Sequence, residues 1–153
     1  MTTSPFLKQN AQSLYEADYA QWIEATLQKL QQQDYAAVDW ENLIEEIEDM
    51  GRRERRALVS NLIVLLVHLL KWQYQPERRS GSWSGSIVEH RRRINQALKD
   101  SPSLKTYLTA HLNDAYDDAL EQAAAETMLP VKTFPAKCPY EIEQILERGF
   151  LSD

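Results

Sequence analysis

The stretch from Asp39 to Trp72 decides the fold: residues 39–51 are DWENLIEEIEDMG and residues 52–72 are RRERRALVSNLIVLLVHLLKW. Its apolar side chains recur every three or four residues, as on one face of an α-helix. They are Trp40, Leu43, Ile44, Ile47, Leu58, Leu62, Leu65, Leu66, Leu69 and Trp72. Gly51 shares this face, and a glycine inside a helix costs only about 1 kcal/mol relative to alanine. The pattern predicts one long helix with Asp39 as its N-cap; two helices separated at Gly51 are the alternative.

Four further segments show helical spacing or helix-start signals. They are predicted at Ser13–Leu30, from Ser82–Ser86 to Lys99, from Ser101 and Pro102 to Thr127, and after Cys138 and Pro139. A proline at the first helical position loses no hydrogen bond, which favours these last two starts. No window shows the polar–apolar alternation of a strand flanked by turn residues. The sequence predicts an all-α fold, a helical bundle of four main helices, one of them long, plus a short C-terminal helix.

The length of 153 residues suits one helical domain spanning residues 1–153, with residues 1–12 as a loosely ordered N-terminal segment. Cys138 is the single cysteine, so no internal disulfide is possible. Residues 1–8 lack the pattern of a signal peptide. The apolar run Leu62–Leu70 is shorter than the ~20 residues that cross a bilayer. We therefore expect a cytoplasmic protein without a membrane partner.

Charge is segregated along the chain, although the net value is only −6. Residues 1–50 carry 2 basic and 10 acidic side chains, whereas residues 51–100 carry 11 basic and 4 acidic ones. Neighbouring helices of opposite charge could neutralise one another, or the basic segment could bind an anionic partner. The overall acidity favours neutralisation, because nucleic-acid-binding domains are usually basic.

Five blocks of the sequence resemble a known family. They are WENLIEEIEDMG (residues 40–51), HLLKWQYQPERR (68–79), the segment 83–94 with its EHRRR core, DSPSL (100–104) and CPY (138–140). In this order they resemble a bacterial family, common in cyanobacteria, known as domain of unknown function 29. The resemblance implies a small all-helical domain. It implies no reaction, ligand or catalytic residue.

Glutamate and histidine side chains near the apolar stripes are candidates for a metal site. The candidates are Glu45, Glu48, His68 and His90. Dimetal helix bundles use a Glu-x-x-His spacing, which occurs nowhere in this chain. We therefore predict structural histidines, with no metal, no cofactor and no catalytic residue.

The arginines form the second candidate site, for phosphate or nucleic acid. The candidates are Arg78, Arg79, Arg91, Arg92 and Arg93. Arg91, Arg92 and Arg93 span about 200° of a helix, so at least one of them must lie near its buried side. Pairing with the acidic residues of the long helix is the alternative to anion binding.

Four further residues are predicted as interaction or structural anchors: Trp40, Trp72, Trp83 and Cys138. A thiol at a helix start can be reactive, but capping is the favoured role of Cys138. The biochemical function stays unknown from sequence. The pattern favours a non-catalytic module that binds itself or another protein through its helices. Nucleic-acid or phosphate binding through the arginines is the alternative, and a metal-dependent enzyme using the Glu/His set is the second alternative.

Overall fold

The computed structural model describes residues 14–151, which contain helices and turns but no strand. The helices are α1 (Tyr19–Gln31), α2 (Trp40–Tyr74), α3 (Gly81–Asp100), α4 (Leu104–Ala110), α5 (Leu112–Thr127) and α6 (Ile142–Leu146). Short 3-10 turns occur at Tyr35–Ala37, Pro76–Arg78 and Val131–Thr133. The all-α fold, the long helix and the short C-terminal helix are confirmed. The segment 1–12 lies outside the described residues.

The chain forms two compact units, divided between Arg52 and Arg53. Unit 1 contains α1 and the first part of α2, and unit 2 contains the rest of α2 and all later helices. The single domain stays a prediction.

Helix α2 is continuous through Gly51, as the apolar spacing predicts. At its start the backbone N–H of Asn42 donates to Asp39 Oδ1 at 3.4 Å, which confirms the predicted N-cap. Pro76, two residues after the last helical residue Tyr74, has no N–H with which to extend the helix. By length and composition alone α2 could cross a membrane, but 39% of its most apolar window is buried inside the protein. Core helices of soluble proteins share this property, so the absence of a membrane partner stays a prediction.

The core of unit 2 is built on α2. Leu58, Leu62 and Leu65 are at most 2% exposed, and α3 adds Ile87 and Ile94. Helix α5 contributes small buried residues, Ala115, Ala119 and Ala123, which allow neighbouring side chains to approach its backbone closely. The C-terminal helix α6 closes the core with Ile142 and Ile145.

The predicted start of the first helix, Ser13, lies outside the described residues. Residues 14–17 are helical, and α1 begins after Asp18, whose Oδ1 accepts from Gln21 N at 3.1 Å. Two other predicted helix starts were wrong. Ser80 caps α3, so that helix begins at Gly81, one residue before the predicted range. Ser101 is the C-cap of α3: its N–H bonds to Ala97 O at 2.9 Å, and the next helix begins only at Leu104.

The predicted fourth helix is divided at His111 into α4 and α5. The His111 ring stacks on Tyr107 at 4.0 Å, and His111 Nδ1 bonds to Tyr107 O at 2.8 Å. Cys138 does not cap the last helix; Glu141 does, and its N–H donates to Gln144 Oε1 at 2.9 Å.

Candidate functional site

Unit 1 is an antiparallel pair of helices joined by polar contacts. Trp22 Nε1 donates to Asp39 Oδ2 at 3.3 Å, and the Tyr19 hydroxyl donates to Glu46 Oε2 at 2.5 Å. The Tyr15 hydroxyl donates to the other oxygen of Glu46. Asp39 at the start of α2 contacts Trp22, whereas Glu46, further along α2, contacts the earlier residues Tyr15 and Tyr19. The two segments therefore run antiparallel.

An aromatic cluster surrounds the buried Glu46 carboxylate. The Tyr15 ring meets Trp22 edge-on at 4.8 Å, and the Tyr19 and Trp22 rings stack at 6.1 Å. The hydrogen bond to Glu46 raises the pKa of Tyr15 to about 12, because ionisation would place a second negative charge beside the carboxylate. Glu46 thus has a structural role in holding the two helices together.

The apolar stripe of α2 changes from exposed to buried along its length. Ile44 and Ile47 are 54% and 59% exposed in unit 1, whereas Leu62 and Leu65 of the same stripe are fully buried in unit 2. Trp40 is also exposed, with its indole N–H donating to Tyr35 O at 2.9 Å. An exposed stripe of this length is unusual, because single exposed apolar residues are the norm.

Helix α1 carries a matching exposed stripe, Tyr19, Ile23 and Leu27. Both stripes are rotated by about 100° in the same sense from the side on which the helices touch. Since the helices are antiparallel, the two stripes lie on one side of the pair. We call this surface, formed by Tyr19, Ile23, Leu27, Trp40, Ile44 and Ile47, the apolar face.

Exposed carboxylates flank the apolar face: Glu24 on α1, and Glu41, Glu45 and Glu48 on α2. Residues 14–52 contain ten acidic and only two basic side chains, Lys29 and Arg52. Arg52 pairs with Asp49 of its own helix. The surface of unit 1 is therefore apolar in the middle and negative at its rim.

The candidate arginines are spread over unit 2. Arg91 is 4% exposed; it donates from Nε to Ile145 O at 2.8 Å and from Nη2 to Phe150 O at 2.9 Å. This confirms that one of Arg91, Arg92 and Arg93 faces the buried side, and its cationic head meets the negative end of α6. Arg93 pairs with Glu89, one turn away, at 2.7 Å.

The other candidate arginines are exposed. Arg79 donates from Nε to Trp72 O at 2.8 Å, and its guanidinium lies 5.0 Å from the Trp72 ring centroid. Arg78 ends the 3-10 turn after α2, and Arg92 points away from the core of unit 2. The five arginines do not form one surface cluster: Arg91, Arg79 and Arg93 each have structural contacts.

His68 and His90 come together at Ser86, whose hydroxyl oxygen lies 3.5 Å from His68 Nδ1 and 3.3 Å from His90 Nδ1. Each Nδ1 also lies 2.8 Å from a backbone carbonyl of its own helix, Val64 O and Ser86 O respectively. A carbonyl can only accept, so each Nδ1 carries the proton and cannot act as a base toward Ser86. Across residues 14–151 no three His, Cys, Asp or Glu side chains are placed to share a metal ion.

Burial lowers the pKa of His68 below its ordinary value of 6.5. We expect the imidazole resonances of His68 to titrate below pH 6.5. Stability should be lost as pH falls from 6.5 through the folded pKa, because the unfolded chain takes up the proton first. His68→Leu should fold and should lose less stability than the parent between pH 7.5 and pH 5, measured by urea denaturation. A His68 pKa above 6.5 would contradict this assignment.

The remaining predicted anchors are partly buried in unit 2. Lys71 Nζ lies 4.8 Å above the Trp83 ring, and Trp72 packs against the core. The Cys138 thiol donates to Tyr140 O at 3.3 Å, and burial raises the pKa of this thiol. A raised pKa opposes thiolate formation, so the environment of Cys138 suits a structural role. Of the four anchors, Trp40 belongs to the exposed apolar face.

Comparison with known families gives one match. The model of the family described as "Domain of unknown function DUF29" matches residues 14–151. The chain belongs to the DUF29 family. No curated protein and no solved structure matches significantly. Membership in DUF29 carries no assigned reaction or ligand.

Two elements of the candidate sites are missing from the sequence prediction. The first is the role of Glu46, whose partners Tyr15 and Tyr19 are separated from it by 31 and 27 residues. The available signal was the spacing of four residues between the two tyrosines, which lie on either side of Asp18. The second is Arg148, which lines a cleft of unit 2 together with Arg92. The two arginines are far apart in the sequence, and no local pattern connects them.

Proposed function

We propose that this DUF29 chain is a protein-interaction module, and that the apolar face of unit 1 binds an amphipathic helix of a partner protein. The observation that supports the proposal is the exposed stripe on two adjacent helices, centred on Ile44 and Ile47. Grooves between paired helices that display apolar side chains bind helices through residues spaced at three and four positions. Trp40 adds the type of aromatic anchor that is frequent in interface hot spots.

The charge of unit 1 specifies the partner. Glu24, Glu41, Glu45 and Glu48 surround the apolar face, so a partner helix with lysine or arginine beside its apolar stripe would gain attraction at the rim. Symmetric pairing of two copies through this face would place two acidic rims together, which disfavours it. The proposed partner is therefore a basic, amphipathic helix of another protein.

A non-catalytic role is part of the proposal. The tautomers of His68 and His90 and the raised pKa of Cys138 support it, since these groups are the natural candidates for a base or nucleophile in the described residues. A cytoplasmic location is also part of the proposal and is supported by the single cysteine.

The test is a fluorescence-anisotropy titration with a labelled amphipathic peptide of leucine and lysine. We expect saturable binding that weakens as salt is added, because the rim contacts are exposed ion pairs. The double variant Ile44→Gln, Ile47→Gln should weaken binding at least about thirtyfold, which corresponds to about 2 kcal/mol. Both side chains are exposed, so the variant should keep its fold.

Matched controls distinguish binding at the apolar face from nonspecific binding to any exposed apolar side chain. Val131→Gln replaces an equally exposed apolar side chain of unit 2, 53% exposed, and should leave the affinity unchanged. A leucine–glutamate peptide with the same apolar stripe should bind more weakly than the leucine–lysine peptide. The triple variant Glu41→Gln, Glu45→Gln, Glu48→Gln should reduce this difference in affinity. Equal losses from the Ile44/Ile47 and Val131 variants would refute the proposal. A salt-resistant dimer in sedimentation that the Ile44/Ile47 variant abolishes would identify a second copy as the occupant instead.

A further inference from the structure

A cleft of about 360 Å³ lies on unit 2, beside helix α3 and the turn that follows α6. Its lining residues are Val88, Arg91, Arg92, Asn95, Arg148 and Gly149. Three of these residues are arginines and none is acidic, so the potential around the cleft is positive. Arg92 and Arg148 form no hydrogen bond or ion pair with other residues in the range 14–151.

The backbone that carries Arg148 is held in place. Gly149 has φ 87, a left-handed conformation that glycine adopts without strain, and the Phe150 N–H bonds to Glu147 O at 3.1 Å. The Phe150 ring packs edge-on against Tyr140 at 5.7 Å, and Arg91 donates to Phe150 O. On the other side of the cleft, Asn95 Nδ2 donates a hydrogen bond to Leu146 O at 3.1 Å. A fixed backbone on both sides reduces the ordering cost of binding.

We propose that this cleft binds a small oxyanion, a phosphate group or a compact polycarboxylate, between the guanidinium groups of Arg92 and Arg148. The planar fork of each guanidinium matches the two oxygens of a phosphate or carboxylate. The volume lies at the lower end of the range of about 300–1,000 Å³ typical of small-molecule sites. A nucleic-acid strand would need a longer basic groove, and Arg78, Arg79 and Arg93 do not line the cleft.

The test uses the amide signals of the four glycines, which are resolved from most others in a ¹H–¹⁵N spectrum. Inorganic phosphate and citrate are titrated separately at constant ionic strength. The Gly149 signal should shift and saturate with at least one of the two anions, whereas the Gly51 signal, in unit 1, should not move. The two arms distinguish a phosphate ligand from a polycarboxylate.

Variants assign the binding to the two arginines. Arg92→Gln and Arg148→Gln should each lower the affinity for the anion that binds by about tenfold or more. This is the expected loss for one charge-assisted contact. Arg93→Gln removes the same charge from the adjacent position, outside the cleft, and should change the affinity less than about twofold. No saturating shift at Gly149, or equal losses in Arg92→Gln and Arg93→Gln, would overturn the proposal. So would an oligonucleotide that binds far more tightly than both small anions and shifts the signals of Arg78 and Arg79.

Discussion

Replacement of Arg91 by alanine is expected to lower the free energy of unfolding by about 3–5 kcal/mol, because hydrogen bonds from a charged donor contribute about 1.5–3 kcal/mol each. The variant leaves the carbonyls of Ile145 and Phe150 without this donor, and a buried carbonyl without a partner is costly. Urea denaturation followed by circular dichroism measures the loss.

Two further variants control this result. Arg93→Ala removes an exposed cation from the same helix and breaks its pair with Glu89, so it should cost only about 0.3–0.5 kcal/mol. Arg91→Lys keeps the charge but cannot place two donors in a planar fork, so an intermediate loss is expected. Similar losses for Arg91→Ala and Arg93→Ala would show that Arg91 does not hold the C-terminal segment.

Replacement of Leu65 by alanine is expected to cost about 2–5 kcal/mol, the range for large-to-small changes in a packed core. Leu65 is fully buried among the residues of the unit 2 core. Ile47→Ala, on the same stripe of α2 but 59% exposed, should change stability by no more than about 0.5 kcal/mol. For binding of the leucine–lysine peptide we expect the reverse order, with the larger loss of affinity in Ile47→Ala. A large stability loss in Ile47→Ala would mean that this part of the stripe is core.

The comparison of Ile47 with Leu65 shows what the sequence can predict. Helical spacing correctly identified one continuous helix through Gly51 and an apolar stripe along it, because both depend on local geometry. It could not show that the stripe is covered at Leu65 and exposed at Ile47. Covering depends on which later helices pack there, and that information lies in distant parts of the chain.

The errors at helix ends have a local cause. Ser101 precedes a proline and resembles an N-cap, but its N–H is instead used to complete the preceding helix at Ala97 O. One residue can serve either helix, and packing decides between them. Similarly, the predicted fourth helix has an uninterrupted apolar pattern, and nothing in that pattern marks the break at His111.

The candidate sites were predicted in part. The spread of Arg91, Arg92 and Arg93 around their helix required one buried guanidinium, and Arg91 is that residue. Its partners are main-chain carbonyls 54 and 59 residues away, which no charge pattern reveals. The predicted pairing with carboxylates neglected carbonyl groups at helix ends, which also attract cations.

The most direct test of the proposed interaction site is a methyl NMR spectrum of protein labelled only at isoleucine Cδ1. The chain has eight isoleucines: Ile23, Ile44 and Ile47 in unit 1, and Ile63, Ile87, Ile94, Ile142 and Ile145 in unit 2. On addition of the leucine–lysine peptide we predict that the three signals of unit 1 shift together with one affinity while the five of unit 2 stay in place. Shifts confined to unit 2, or no shift at saturating peptide, would contradict the assignment of the apolar face as the binding surface.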